Sequence, residues 1–210
     1  MKNATKHAED LRSLVKKLAK EHKPDPKPTL EPLKALVRGA MSYDASDAKA
    51  DEAMDVIARE FVDLNELRVA TELEVQDMVG QRFPGIEKRV AMVTAILNAI
   101  FEKEHTLSLD RLKTLSKKDA RAALKALAEV HPFVEAYTML FGFDAHAVPV
   151  DDTMLQYLRD HGVVEATTTL DEAQRFLEHA VKGEEQYDLF AVLRKAALAA
   201  AADGAAKKKK

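Results

Sequence analysis

The sequence predicts an all-α fold. Apolar residues recur at three- and four-residue steps along nearly the whole chain, serine, threonine and aspartate stand where helix N-caps belong, and proline and glycine fall at the breaks. The one stretch that reads as extended is Ala147 to Val150.

Residues 4 to 23 place Leu11, Leu14, Val15 and Leu18 on one face of an amphipathic helix. The linker PDPKPTLEP cannot continue it, because proline lacks the donor N–H and clashes with the preceding turn. Pro32 suits a first helical turn, and Leu33, Leu36, Val37, Ala40 and Met41 supply the next apolar face. A helix over 47 to 62 buries Ala50, Ala53, Met54, Ile57 and Phe61, and a capping box at Thr71 and Glu74 opens a short one. Between them, VDLNELRV reads as a turn between helices with an internal salt bridge, or as a contact loop carrying Asn65, Glu66 and Arg68.

Phe83-Pro84-Gly85 breaks the chain before a strong helix over 86 to 103. Ser108 and Ser116 read as N-caps, and Ser116 with Asp119 fits a capping box. Helices over 132 to 142 and 152 to 161 follow. Thr169 and Glu172 form a further capping box for 170 to 181, which Gly183 can terminate, and the last helix runs from about 186 to 202. Residues 203 to 210, ending in four lysines, read as a disordered, solvated tail or a weak polyanion contact.

With 47% apolar residues in 210, the chain can bury a proper core, as one large or two small domains. The formal net charge is −3, so tight nonspecific binding of nucleic acid over the whole surface is not expected, although a local basic stripe can serve. No cysteine is present, which excludes thiol chemistry, disulfides and four-thiolate iron–sulfur clusters. The seven histidines are scattered without metal-ligand spacing, and no cofactor is expected. The N-terminal segment lacks the apolar core of a secretion signal or membrane span, so a cytoplasmic monomer with no membrane partner is the expectation.

The segment Leu127 to Leu158, LAEVHPFVEAYTMLFGFDAHAVPVDDTMLQYL, carries the functional signal. Leu127, Val130, Pro132, Ala136, Leu140, Phe141, Gly142, Pro149, Val150 and Asp151 fall without a gap on a hairpin between helices, an apolar helix and a Pro-Val-Asp helix start. In this the segment resembles the helix-hairpin-helix and Pro-Val-Asp region of the endonuclease III superfamily of DNA glycosylases. A second match lies at PLKALVRGAMSYDASD, where Pro32, Leu36, Val37, Ser42, Ala45, Ser46 and Asp47 fit the early helix and loop of that family.

The resemblance implies an endonuclease III-like fold of two helical domains. Residues 28–142 would form a six-helix domain ending in the hairpin. Residues 143–202 would form a C-terminal helical domain without an iron–sulfur cluster, joined by the N-terminal helix and linker of 1–27. It further implies a double-stranded DNA partner, damaged or not, a base-flipping groove with Asp151 at its floor, and a base-excision-repair role.

The working residues depart from the family pattern. Glu129 and His131 replace two hairpin glycines whose backbone N–H groups hold a phosphate, and His131 before Pro132 is pushed toward an extended backbone. Phe133 replaces the lysine that attacks the sugar, so no strand-cleaving lyase activity is expected. Asp44 replaces the glutamine that fills the gap left by a flipped base. Asp151 remains: it is either the carboxylate that stabilises a cationic sugar or a helix N-cap alone.

Ser46 and Asp47 read likewise as DNA contacts or as a helix start. On the first hairpin helix Lys117, Arg121 and Lys125 make one basic stripe, either a DNA face or a solvated one. The candidate DNA-binding set is therefore Lys117, Arg121, Lys125, Val130, His131, Pro132, Asp44 and Ser46, with Asp151 the candidate catalytic residue. A DNA-binding protein of base-excision repair, at most a monofunctional base-removing enzyme acting through Asp151, is the leading expectation. The alternatives are an inactive binding or interaction module on the same fold, and a small-molecule pocket in the former base-flipping groove.

Overall fold

A computed structural model describes residues 4–80, 82–127 and 129–207, and among them are twelve α-helices and no strand. They are α1 (Ala4–Glu21), α2 (Pro32–Ser42), α3 (Asp47–Glu60), α4 (Leu64–Val69), α5 (Glu72–Val79), α6 (Ile86–Glu104), α7 (Asp110–Lys113), α8 (Lys117–Lys125), α9 (Pro132–Gly142), α10 (Asp152–Asp160), α11 (Leu170–Ala180) and α12 (Gln186–Lys207). Side-chain caps set most of the starts, because each supplies an acceptor to a backbone N–H that the helix cannot pair. Ser46, Asp63, Ser116 and Asp151 accept from the first turns of α3, α4, α8 and α10. The capping boxes Thr71–Glu74 and Thr169–Glu172 are complete, with each glutamate reaching back to the cap's backbone N–H. At Ser116 the box is only half made: the Asp119 carboxylate accepts from the serine hydroxyl.

The chain divides into two compact units, residues 29–145 and residues 1–28 with 146–210. In the first unit α2 and α9 are the central pair. α9 is buried continuously from Phe133 to Phe141, so it reads as apolar nearly all round and belongs at the centre of its unit. The two helices meet where Gly142 lets the backbones close. A Cβ at Gly142 would stand 2.8 Å from Pro32 Cα, a backbone atom that cannot swing aside. Gly142→Ala is therefore expected to cost about 1–3 kcal/mol of stability by overpacking, read from a shift in the urea midpoint.

In the second unit α1 and α10 pack on α12, and α11 packs on α10. The apolar stripe read from the sequence is the face used: Leu11, Leu14 and Leu18 are buried. The extended stretch is also present, with Ala147, Val148 and Val150 buried. It pairs with side chains instead of a sheet: the Ala147 N–H donates to Gln186 Oε1 at 2.5 Å and the Val148 N–H to Glu178 Oε1 at 3.2 Å. Those two bonds from α11 and α12 fix the approach to Asp151.

Two local expectations change. VDLNELRV is a short helix, α4, with Asp63 as its cap. Its internal salt bridge is replaced: Glu66 Oε2 accepts from the Val62 N–H at 2.6 Å, while Arg68 donates to Asn65 and Asn98 and lies over the Phe101 ring. The planar guanidinium gains more from a ring face and two amide oxygens than from an exposed carboxylate. The last helix also continues past residue 202 to Lys207, because the alanine-rich stretch has the highest intrinsic helix preference. The remainder of the predicted tail, 208 to 210, lies outside the described residues.

Candidate functional site

Asp151 is fully buried and both carboxylate oxygens are engaged. Oδ1 accepts from the Met154 N–H at 2.8 Å, the capping bond of α10. Oδ2 accepts from Arg194 Nη1 at 2.7 Å, and Arg194, from α12, is only 1% exposed. Sequence reading missed Arg194 because it lies 43 positions away on a helix that otherwise reads as alanine-rich packing. A signal was present: an arginine among Leu189, Val192, Leu193 and Ala197, all buried, needs a carboxylate partner. An enzyme that uses a carboxylate against a cationic sugar needs one oxygen free to face it. Here the charge is already neutralised at hydrogen-bond distance.

Phe133, at the position of the family's lysine, is 0% exposed and sits in an aromatic cluster. Its ring centroid lies 5.7 Å from that of Tyr43 and 5.8 Å from that of Tyr137, whose ring in turn packs on Phe141. Arg38 donates to the Tyr137 hydroxyl and to Asp51, tying α2, α3 and α9 together. Burial works to lower the Arg38 pKa, but the Tyr137 hydroxyl and Asp51 outweigh it and hold the guanidinium above its ordinary value.

Between α8 and α9 the chain turns through Glu129 and His131. Glu129 adopts the left-handed conformation, φ 61°, that a glycine would adopt without a steric penalty. His131 is extended, φ −66° and ψ 143°, as the following Pro132 dictates. Its Nδ1 accepts from the Phe133 N–H at 3.2 Å, so the first turn of α9 is capped by the protein's own imidazole and the outer Nε2 carries the proton of the neutral ring. Val130 and His131 are half-buried and Pro132 is exposed. The Tyr43 ring packs on His131 at 4.3 Å, which joins the α2–α3 loop to this turn. The two sequence matches thus meet in one place. Asp44 is half-buried in that loop with φ 46°, and Ser46 is exposed and occupied as the α3 cap.

The basic stripe of α8 is engaged by α9, although Lys117 and Lys125 are exposed and only Arg121 is half-buried. Lys117 donates its ammonium to the Phe143 carbonyl at the end of α9. Arg121 Nε lies 2.7 Å from Glu135 Oε1, and Glu135 is 1% exposed. Lys125, 3.8 Å from Glu135 Oε2, keeps most of its side chain in solvent. Periodicity placed the three cations on one face correctly. It could not show that the neighbouring helix carries a buried carboxylate facing them.

No family model matches the chain, and no curated protein matches its sequence. Solved structures do match in fold. An endonuclease III–DNA complex superimposes with a TM-score of 0.69 at 13% identity, covering 89% of this chain and 83% of that one. The Clostridium acetobutylicum 8-oxoguanine glycosylase/lyase bound to double-stranded DNA gives 0.67 at 19% identity, over 92% of this chain and 71% of that one. The H. pylori 3-methyladenine DNA glycosylase gives 0.63 at 13% identity, over 90% and 94%. The chain has the endonuclease III-like DNA glycosylase fold.

On this glycosylase fold, the absence of cysteine leaves an iron–sulfur cluster without thiolate ligands. Among the described residues no group of three or more histidine or carboxylate side chains could hold a metal ion, and no helix is long and apolar enough to cross a membrane.

Proposed function

We propose that this protein binds duplex DNA through a glycosylase fold whose base-removing chemistry has been replaced by structural contacts. One observation carries the reading: Asp151 is fully buried, caps α10 and is ion-paired with the buried Arg194. Phe133, fully buried among Tyr43 and Tyr137, supports it from the second catalytic position. The DNA contacts we propose lie at the α8–α9 turn, Val130, His131 and Pro132, with Asp44 and Ser46 on the adjoining loop and Lys125 beside them. Lys117 and Arg121 then serve α9 more than DNA. An acidic side chain at Asp44 and a self-capped α9 both weaken such a site, because phosphate affinity rests on free cations and unpaired N–H groups.

Fluorescence anisotropy on undamaged and abasic duplexes at two salt concentrations tests this. Weak binding that falls steeply with salt is expected, and Lys125→Ala should lower the salt slope by about one. Absence of binding at low salt, or the same slope in the variant, sinks the DNA assignment. The second reading is monofunctional base removal, favoured by Asp151 standing 18 positions after Phe133, the family's interval between lysine and aspartate. Base release by the wild type on a panel of damaged duplexes would establish it and displace the first.

A further inference from the structure

The face built by α3, α4 and α5 has a character of its own. Residues 44 to 79 hold eleven acidic side chains against three basic ones, in a chain whose formal net charge is −3. All eleven except the half-buried Asp44 are exposed. Asp55 and Glu72 have no ion pair or capping bond among the described residues. The same stretch holds four of the five large apolar side chains most open to solvent: Val62 at 93% exposed, Val69 at 63%, Leu73 at 64% and Met78 at 42%. Single exposed apolar residues need no explanation, but their concentration in 17 successive positions does. Beside Val62 a cavity of about 490 Å³ opens, walled by Leu33, Met54, Ile57, Phe61 and Leu64, with Lys34 and Asp63 as the charged residues of its lining.

We infer that this face docks a basic, amphipathic segment of another protein, which seats an apolar side chain in the cavity beside Val62 and sets its lysines or arginines against exposed carboxylates of α3, α4 and α5. Charge selects the occupant. Phosphates are repelled by so many carboxylates, so the face is not a nucleic-acid surface. A second copy meeting it through a two-fold axis would set acid against acid. A basic helix with apolar residues along one stripe satisfies both features at once: the apolar side chains cover Val62 and Leu73, and the flanking cations gain from the acidic field. The inference is independent of DNA binding, since Val62, Leu73, Asp55, Glu72 and the walls of the cavity are not among the proposed DNA contacts around His131 and Lys125.

The test uses the full chain and three labelled probes followed by anisotropy: a synthetic amphipathic leucine–lysine helix, its leucine–glutamate counterpart, and oligolysine. The leucine–lysine peptide should bind best and lose affinity with rising salt. Val62→Ser and Leu73→Ser, both surface changes checked by circular dichroism, should each weaken it about fivefold or more. Asp55→Lys combined with Glu72→Lys should weaken it and flatten the salt dependence. Equal binding of the leucine–glutamate peptide or of oligolysine overturns the inference, as does unchanged affinity in the variants. Displacement of the peptide by duplex DNA would make the face a nucleic-acid site after all. Concentration-dependent self-association in sedimentation, abolished by Val62→Ser, would make it a self-interface and would equally overturn the proposal.

Discussion

Asp151→Asn is expected to lower folding stability by about 3–5 kcal/mol, the cost of leaving a buried charge without its partner. From sequence alone the same change reads as nearly silent for stability, since asparagine caps a helix as well as aspartate does. The structure reverses that expectation. The asparagine keeps the bond from the Met154 N–H but presents no negative charge to Arg194, which is 1% exposed. Urea unfolding of Asp151→Asn, Arg194→Met and the double variant gives the check. Arg194→Met should fall by a similar amount, because it breaks the same buried ion pair from the other side. The double variant should recover most of the loss, since a neutral amide beside a thioether carries no unpaired charge. Additive losses in the double variant would show that the two residues act separately and that the pair does not govern the site. Loss of activity in Asp151→Asn alone thus says little about catalysis unless the variant is shown to be folded.

The second large effect falls at Phe133. Phe133→Lys, the substitution that restores the family's lysine, is expected to cost more than about 3–5 kcal/mol, since it removes a fully buried ring and introduces an ammonium into the space. Tyr43 and Tyr137 would each lose an aromatic neighbour at under 6 Å. The variant should therefore be partly unfolded, and borohydride should trap no covalent adduct with abasic DNA in either wild type or variant. A folded Phe133→Lys that forms the trapped adduct would show that the position still opens toward DNA and that only the nucleophile was lost. Phe133→Leu serves as the control, expected to fold with a smaller loss because it stays apolar and buries no charge.

Much of the fold was legible in the chain because it is written locally. Periodicity, proline and glycine placement and the two capping boxes depend on residues three or four positions apart, so the helix starts at Glu72 and Leu170 were readable from Thr71 and Thr169 alone. The endonuclease III-like fold was readable too, since the hairpin and Pro-Val-Asp spacing is continuous in sequence. α4 was misread as a turn because much of what holds it is distant in sequence: Leu67 is buried, and Arg68 reaches Asn98 and the Phe101 ring on α6, some 30 positions away.

The candidate site divides along the same line. Sequence by itself carried the resemblance, which implies Phe133 at the position of the glycosylases' lysine, Glu129 and His131 at their glycines, Asp44 at their glutamine, and Asp151 at their aspartate. Only the tertiary structure decided what the candidate site residues contact. It set Arg194 against Asp151, Glu135 against Arg121, and the Phe143 carbonyl against Lys117. A charge seen in sequence carries its sign but not its partner. Whether a carboxylate is a reagent or a cap, and whether a lysine faces DNA or a neighbouring helix, depends on which side chains the packing brings within about 3–4 Å, where Coulomb and desolvation terms are both large.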